Sequence, residues 1–155
     1  MSPEARRVYA ADWFMRAAAI PCSAVLAAVC AAEAPDSVPE FLLKFLIILA
    51  GPAVIAGGWG AALGASILDP AATRSAGRAT LRGLAVALAS FVTYMFVLYF
   101  FLGVLGFDGR GDSFKLFIVV LFYGTTFVGW LVAAVGALAG AQLYKRRESP
   151  DAVRA

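Results

Sequence analysis

The sequence predicts an all-α polytopic membrane protein with four transmembrane helices in two antiparallel hairpins. Two observations carry that reading. Stretches 17–32, 45–68, 83–107 and 116–144 hold no charged residue, and all 23 Asp, Glu, Lys and Arg fall in the gaps around them. The chain is 62% hydrophobic and 15% charged. A soluble helical bundle would instead carry a polar stripe on each helix. Runs such as Phe45-Leu46-Ile47-Ile48-Leu49 do not alternate apolar and polar residues, which excludes membrane strands.

A bilayer core about 30 Å thick needs roughly 20 apolar residues in a helix. The second, third and fourth stretches supply 24, 25 and 29, and the first only 16. The first reaches a full span if it starts at Trp13 and Arg16 snorkels to the headgroups. Spans are expected at about 13–32, 45–68, 83–107 and 116–144, forming a single domain over 1–155. Arginines, a short apolar run and the small residues Cys30-Ala31-Ala32 also resemble a signal peptide; retention of the segment is expected.

Charge sets the expected orientation. The odd-numbered gaps hold ten Lys and Arg and the even-numbered gaps three. The positive-inside rule places both termini and the central loop in the cytoplasm. Richness in Ala and Gly suggests a bacterial source, hence the bacterial cytoplasmic membrane.

Each element has its own signals. Residues 3–16 read as an interfacial lead-in, and Pro21 as a kink early in the first helix. Pro35 and Pro39 mark an outer turn over 33–40. The second helix is interrupted by Gly51-Pro52, which frees backbone carbonyls. Such carbonyls either bind an ion or accompany a tightly packed kink, and the kink is the expectation. Asp69-Pro70 resembles a helix start, so a short cytoplasmic helix, or an inward extension of the third span, is expected over 69–82, with Arg74, Arg78 and Arg82 along one face.

Small residues suggest helix packing. Gly57, Gly60 and Gly64 lie in the second helix, and Gly136 and Gly140 in the fourth; Gly60/Gly64 and Gly136/Gly140 are GxxxG pairs. Gly58-Trp59 and Gly129-Trp130 precede these patches and suggest a faint repeat. The two patches are expected to pack on each other or on further subunits. Ser90, Thr93 and Tyr94 in the third helix and Thr125 and Thr126 in the fourth lie near the midplane, as helix glue or as a polar cluster. Arg74, Arg78, Arg82, Lys145, Arg146 and Arg147 are read either as ordinary positive-inside anchors or as basic surfaces for anionic lipid or a partner.

Absences narrow the chemistry. The chain has no His, and no Asp or Glu lies inside a span. Histidine acid–base chemistry and histidine metal or haem ligation are thereby excluded, and the lack of intramembrane carboxylates argues against a proton-driven carrier. Cys22 and Cys30 stand eight residues apart on one helix, about 12 Å, too far for a disulfide within it. No phosphate-binding loop is present. No catalytic, metal or cofactor site is expected. The expected function is a non-enzymatic accessory, scaffolding or assembly subunit of a membrane complex, meeting lipids, other subunits or copies of itself and no nucleic acid. An oligomeric channel or small-solute transporter is the alternative.

Overall fold

The computed structural model describes residues 1–104, 118, 122 and 124–147; the side chains of 101–104, 124, 125 and 127 lie outside that description. The described residues are helical, with no strand among them. Three helices are long and apolar enough to cross a membrane: Pro3–Ala32, Val38–Ala62 and Ala76–Phe100. The fourth expected span, 116–144, lies partly outside the described residues; its described part ends in the helix Trp130–Arg147.

Helix α1 covers Pro3–Ala32 without a break. Ser2 caps it by accepting from the Ala5 amide at 3.1 Å, and Pro3 occupies the first turn, where no N–H is needed. The expected lead-in is therefore continuous with the span, because capping starts the helix ten residues before Trp13. Thirty residues make a rod of about 45 Å.

Helix α2 runs over Val38–Ala62. It starts earlier than expected because Ser37 caps it, accepting from the Glu40 amide at 3.4 Å, while Glu40 Oε2 accepts from the Asp36 amide at 3.0 Å. This resembles the reciprocal arrangement of a capping box. Pro39 sits in the first turn rather than ending anything. Within α2, Leu46–Ala50 form a π-helical turn directly before Gly51-Pro52. A 3-10 turn over Gly64–Ile67 ends the second segment sooner than its hydropathy suggests.

Helix α3 covers Ala76–Val104. The expected helix start at Asp69 does not form. The Asp69 carboxylate instead accepts from the Ala71 amide at 3.0 Å and pairs with Arg6 at 3.1 Å. Ser75 is the cap, accepting from the Arg78 amide at 3.4 Å. Arg74 therefore precedes the helix, and the expected three-arginine face is broken. Helix α4 covers Trp130–Arg147, preceded by a π-helical turn over Gly124–Gly129.

Helix α1 packs chiefly along α2, and α3 chiefly along α4. The buried core gathers at one end of the bundle, around Ala10, Phe14, Ile67, Val86, Ala139 and Leu143. Glycine makes both main seams possible. A Cβ on Gly60 would lie 2.8 Å from the Ala10 carbonyl oxygen, and one on Gly64 2.6 Å from the Phe14 ring. Across the other seam, a Cβ on Gly136 would lie 2.3 Å from Ala87 Cβ, and one on Gly140 2.4 Å from the Ala79 carbonyl oxygen. Gly83 is the counterpart on α3: its Cβ would meet the Gly136 carbonyl oxygen at 2.2 Å. Lipid tails are as apolar as the helices, so close packing of this kind replaces the hydrophobic drive.

The glycine patches of α2 and α4 thus face α1 and α3 within the chain. The suggested repeat also has unlike roles. Trp59 turns inward to Thr93, whereas Trp130 is 66% exposed.

Gly136→Ala or Gly83→Ala is expected to destabilise the chain by about 1–3 kcal/mol, the usual cost of overpacking. Gly58→Ala meets nothing within 4 Å and is expected to be neutral or slightly stabilising. Thermal unfolding of the three variants in mild detergent checks the contrast.

Candidate functional site

Two places concentrate polar groups. The first is at the end of the bundle holding the start of α1, the turn after α2 and the end of α4. Arginines cover carbonyls of the 3-10 turn and of the loop after it. Arg82 Nη1 donates to the Ser66 carbonyl at 2.7 Å and also to Thr73 Oγ1. Thr73 is fully buried and donates its hydroxyl to the same Ser66 carbonyl at 2.7 Å. Arg147 Nη1 donates to the Thr73 carbonyl at 2.9 Å and the Ile67 carbonyl at 3.4 Å, and its guanidinium lies 4.3 Å from the Tyr144 ring centroid. Trp13 Nε1 donates to the Ala139 carbonyl at 3.0 Å, and Arg146 lies 4.6 Å from the Trp13 ring centroid. This knot ties α1, the 66–73 turn, α3 and α4 together.

The six expected basic residues therefore divide. Arg82 and Arg147 serve the turn, while Arg74, Arg78, Lys145 and Arg146 are exposed. The signal for the knot was present but unread: Thr73 among three arginines beside a glycine-rich helix end.

The second place is the middle of the bundle. Gly51 donates its amide to the Leu46 carbonyl in the π-helical turn, and Pro52 has no N–H. The Ile47 carbonyl therefore has neither of the donors that would normally reach it. Tyr94 supplies one from α3: its hydroxyl donates to the Ile47 carbonyl at 2.5 Å. The freed carbonyl is thus capped by a neighbouring helix. The residue beside Tyr94, Thr93, also reaches α2: its hydroxyl accepts from Trp59 Nε1 at 3.0 Å.

Among the described residues, the members of the midplane set bond to separate partners. Ser90 is buried and donates to the Val86 carbonyl one turn back at 2.7 Å. Thr126 is exposed and donates to the Phe122 carbonyl at 2.8 Å. The Thr125 side chain lies outside the described residues. Thr93 and Tyr94 thus reach α2 instead of the fourth helix.

Between the four helices lies a cavity of about 360 Å³, whose wall includes Ala18, Cys22, Pro52, Phe91, Met95 and Val132. Among the described residues, no three His, Cys, Asp or Glu side chains gather to hold a metal. Both cysteines are free thiols.

No protein-family model matches the chain, and neither does a curated protein or a solved structure.

Each of the two polar places can be probed by one substitution. Tyr94→Phe leaves the Ile47 carbonyl without its donor and is expected to cost about 1–2 kcal/mol, read as a lower unfolding temperature in detergent. The second substitution concerns pH. The Ala71 amide, aided by the Arg6 charge, holds the Asp69 carboxyl below the ordinary aspartate range. A carboxyl lowered on folding stabilises the fold above its unfolded value, about 3.9, and that contribution fades as pH falls through the folded value. Asp69→Asn should therefore lower the unfolding temperature at pH 7, and the gap from the parent should close progressively below about pH 4.

Proposed function

We propose that this chain is a four-span protein of the bacterial cytoplasmic membrane with both termini cytoplasmic. We further propose that it serves as a non-enzymatic accessory, scaffolding or assembly subunit of a larger membrane complex. Three apolar helices of spanning length support the membrane reading. The fourth charge-free stretch, 116–144, supplies the last span, and the excess of Lys and Arg in alternate gaps sets the orientation. The arginine-rich knot lies at the end where this orientation puts the cytoplasm.

One observation carries the functional reading. Among the described residues, the polar side chains that the middle of the bundle places inward are committed to the bundle itself: Ser90 to Val86, Tyr94 to Ile47, Trp59 to Thr93. None is poised as a nucleophile, base or ion ligand. Such a bundle offers its partners surfaces, not chemistry. The same observation weighs against a channel, because Thr93 and Tyr94, which would line it, already have partners and the cavity wall is largely apolar.

Affinity purification from native membrane in mild detergent, followed by mass spectrometry, tests this reading. The expected outcome is a second membrane protein in fixed stoichiometry. Recovery of the chain alone, as a monomer or homo-oligomer, would count against it.

A further inference from the structure

The central cavity asks for an apolar occupant. The hydroxyls on its wall are directed to backbone carbonyls, Ser90 to Val86 and Tyr94 to Ile47. An occupant therefore has almost no hydrogen bond to make, and apolar cavities of this kind stay dry and take apolar molecules. A volume of about 360 Å³ falls within the usual range of ligand pockets.

The cavity also has a rim. Val25 on α1 lines it and is 52% exposed; Val128 and Leu131 line it opposite and are 46% and 44% exposed. Trp13 bonds to Ala139 of α4, which lines the cavity. Farther along α1 on the Trp13 side, Ala24 and Ala28 are exposed. The opening thus lies between α1 and the last helix and faces the bilayer hydrocarbon.

Charge marks the Trp13 end. Arg146 is stacked on the Trp13 indole. Arg16 follows Trp13 by three residues, which makes the two neighbours on the helix surface. Arg16 keeps 75% of its side chain exposed and pairs at the surface with Asp12, an interaction of little strength. Two guanidiniums therefore stand beside the Trp13 indole.

We propose that this opening binds one anionic phospholipid, with an acyl chain in the cavity and the phosphate at Arg16 and Arg146. The wall specifies an apolar chain, the arginines specify a negative headgroup, and the surrounding membrane supplies both in one molecule. The site goes beyond the subunit reading above and requires only that the helices span a bilayer.

Native mass spectrometry of the full chain tests it, with phosphatidylglycerol and phosphatidylcholine of matched acyl chains as probes. The parent should retain one phosphatidylglycerol and hold phosphatidylcholine roughly tenfold less tightly, as two arginines near an anionic group warrant. Ala18→Phe fills the cavity from α1 and should weaken phosphatidylglycerol binding about tenfold or more. Val132→Phe does the same from the opposite wall and serves if Ala18→Phe does not fold. Arg16→Gln with Arg146→Gln should erase the headgroup preference. In a Cys30→Ser background, phosphatidylglycerol should also slow alkylation of Cys22 in the wall by N-ethylmaleimide. Equal retention of the two lipids, undiminished binding in the folded cavity-filled variants, unslowed Cys22 alkylation, or a lipid-free dimer would each overturn the proposal.

Discussion

A backbone carbonyl that loses its helical donor inside a bilayer has no water to turn to, and this constraint organises the bundle. Each unsatisfied group there costs several kcal/mol. Gly51-Pro52 creates such a carbonyl: it strips Ile47 of its donors, and Tyr94 of α3 supplies one. At the end of α2, Arg82 of α3 and Arg147 of α4 cover the carbonyls of Ser66, Ile67 and Thr73. These donors come from helices other than α2, so satisfying the backbone also fixes which helices are neighbours.

Close packing does the remaining work. Glycines on α2 admit Ala10 and Phe14 of α1; glycines on α3 and α4 admit each other's backbone. Both seams meet the buried core at the end with the arginine knot. Farther along, the helices enclose the apolar cavity. The molecule is tightly packed at one end and holds apolar space in its middle.

Membrane character was legible in the charge-free stretches, because burial of charge in hydrocarbon is costly enough to leave a plain trace in composition. Boundaries were less legible. Ser2, Ser37 and Ser75 set the helix starts, and a capping serine leaves a fainter trace than twenty apolar residues. The glycine pairs were visible, but their partners were not: Gly83 with Ala79 and Ala87 forms a spaced small-residue row that only the seam makes meaningful. Pro52 announced a freed carbonyl, yet nothing in sequence spacing linked it to Tyr94, 42 positions on. The Arg82 and Arg147 roles were missed for the same reason. Their repeat every four residues or clustering at a terminus suggested surface, whereas a broken helix end nearby called for donors.

The link between Pro52 and Tyr94 is the sharpest expression of this account. A double-mutant cycle of Pro52→Ala and Tyr94→Phe, read by unfolding in mild detergent, tests it most directly. Alanine in place of Pro52 brings back the missing N–H, so the Ile47 carbonyl regains a donor within its own helix. The account predicts that Tyr94→Phe costs markedly less in the Pro52→Ala background than in the parent, a coupling of about 0.5–1.5 kcal/mol. Equal costs in the two backgrounds would contradict it.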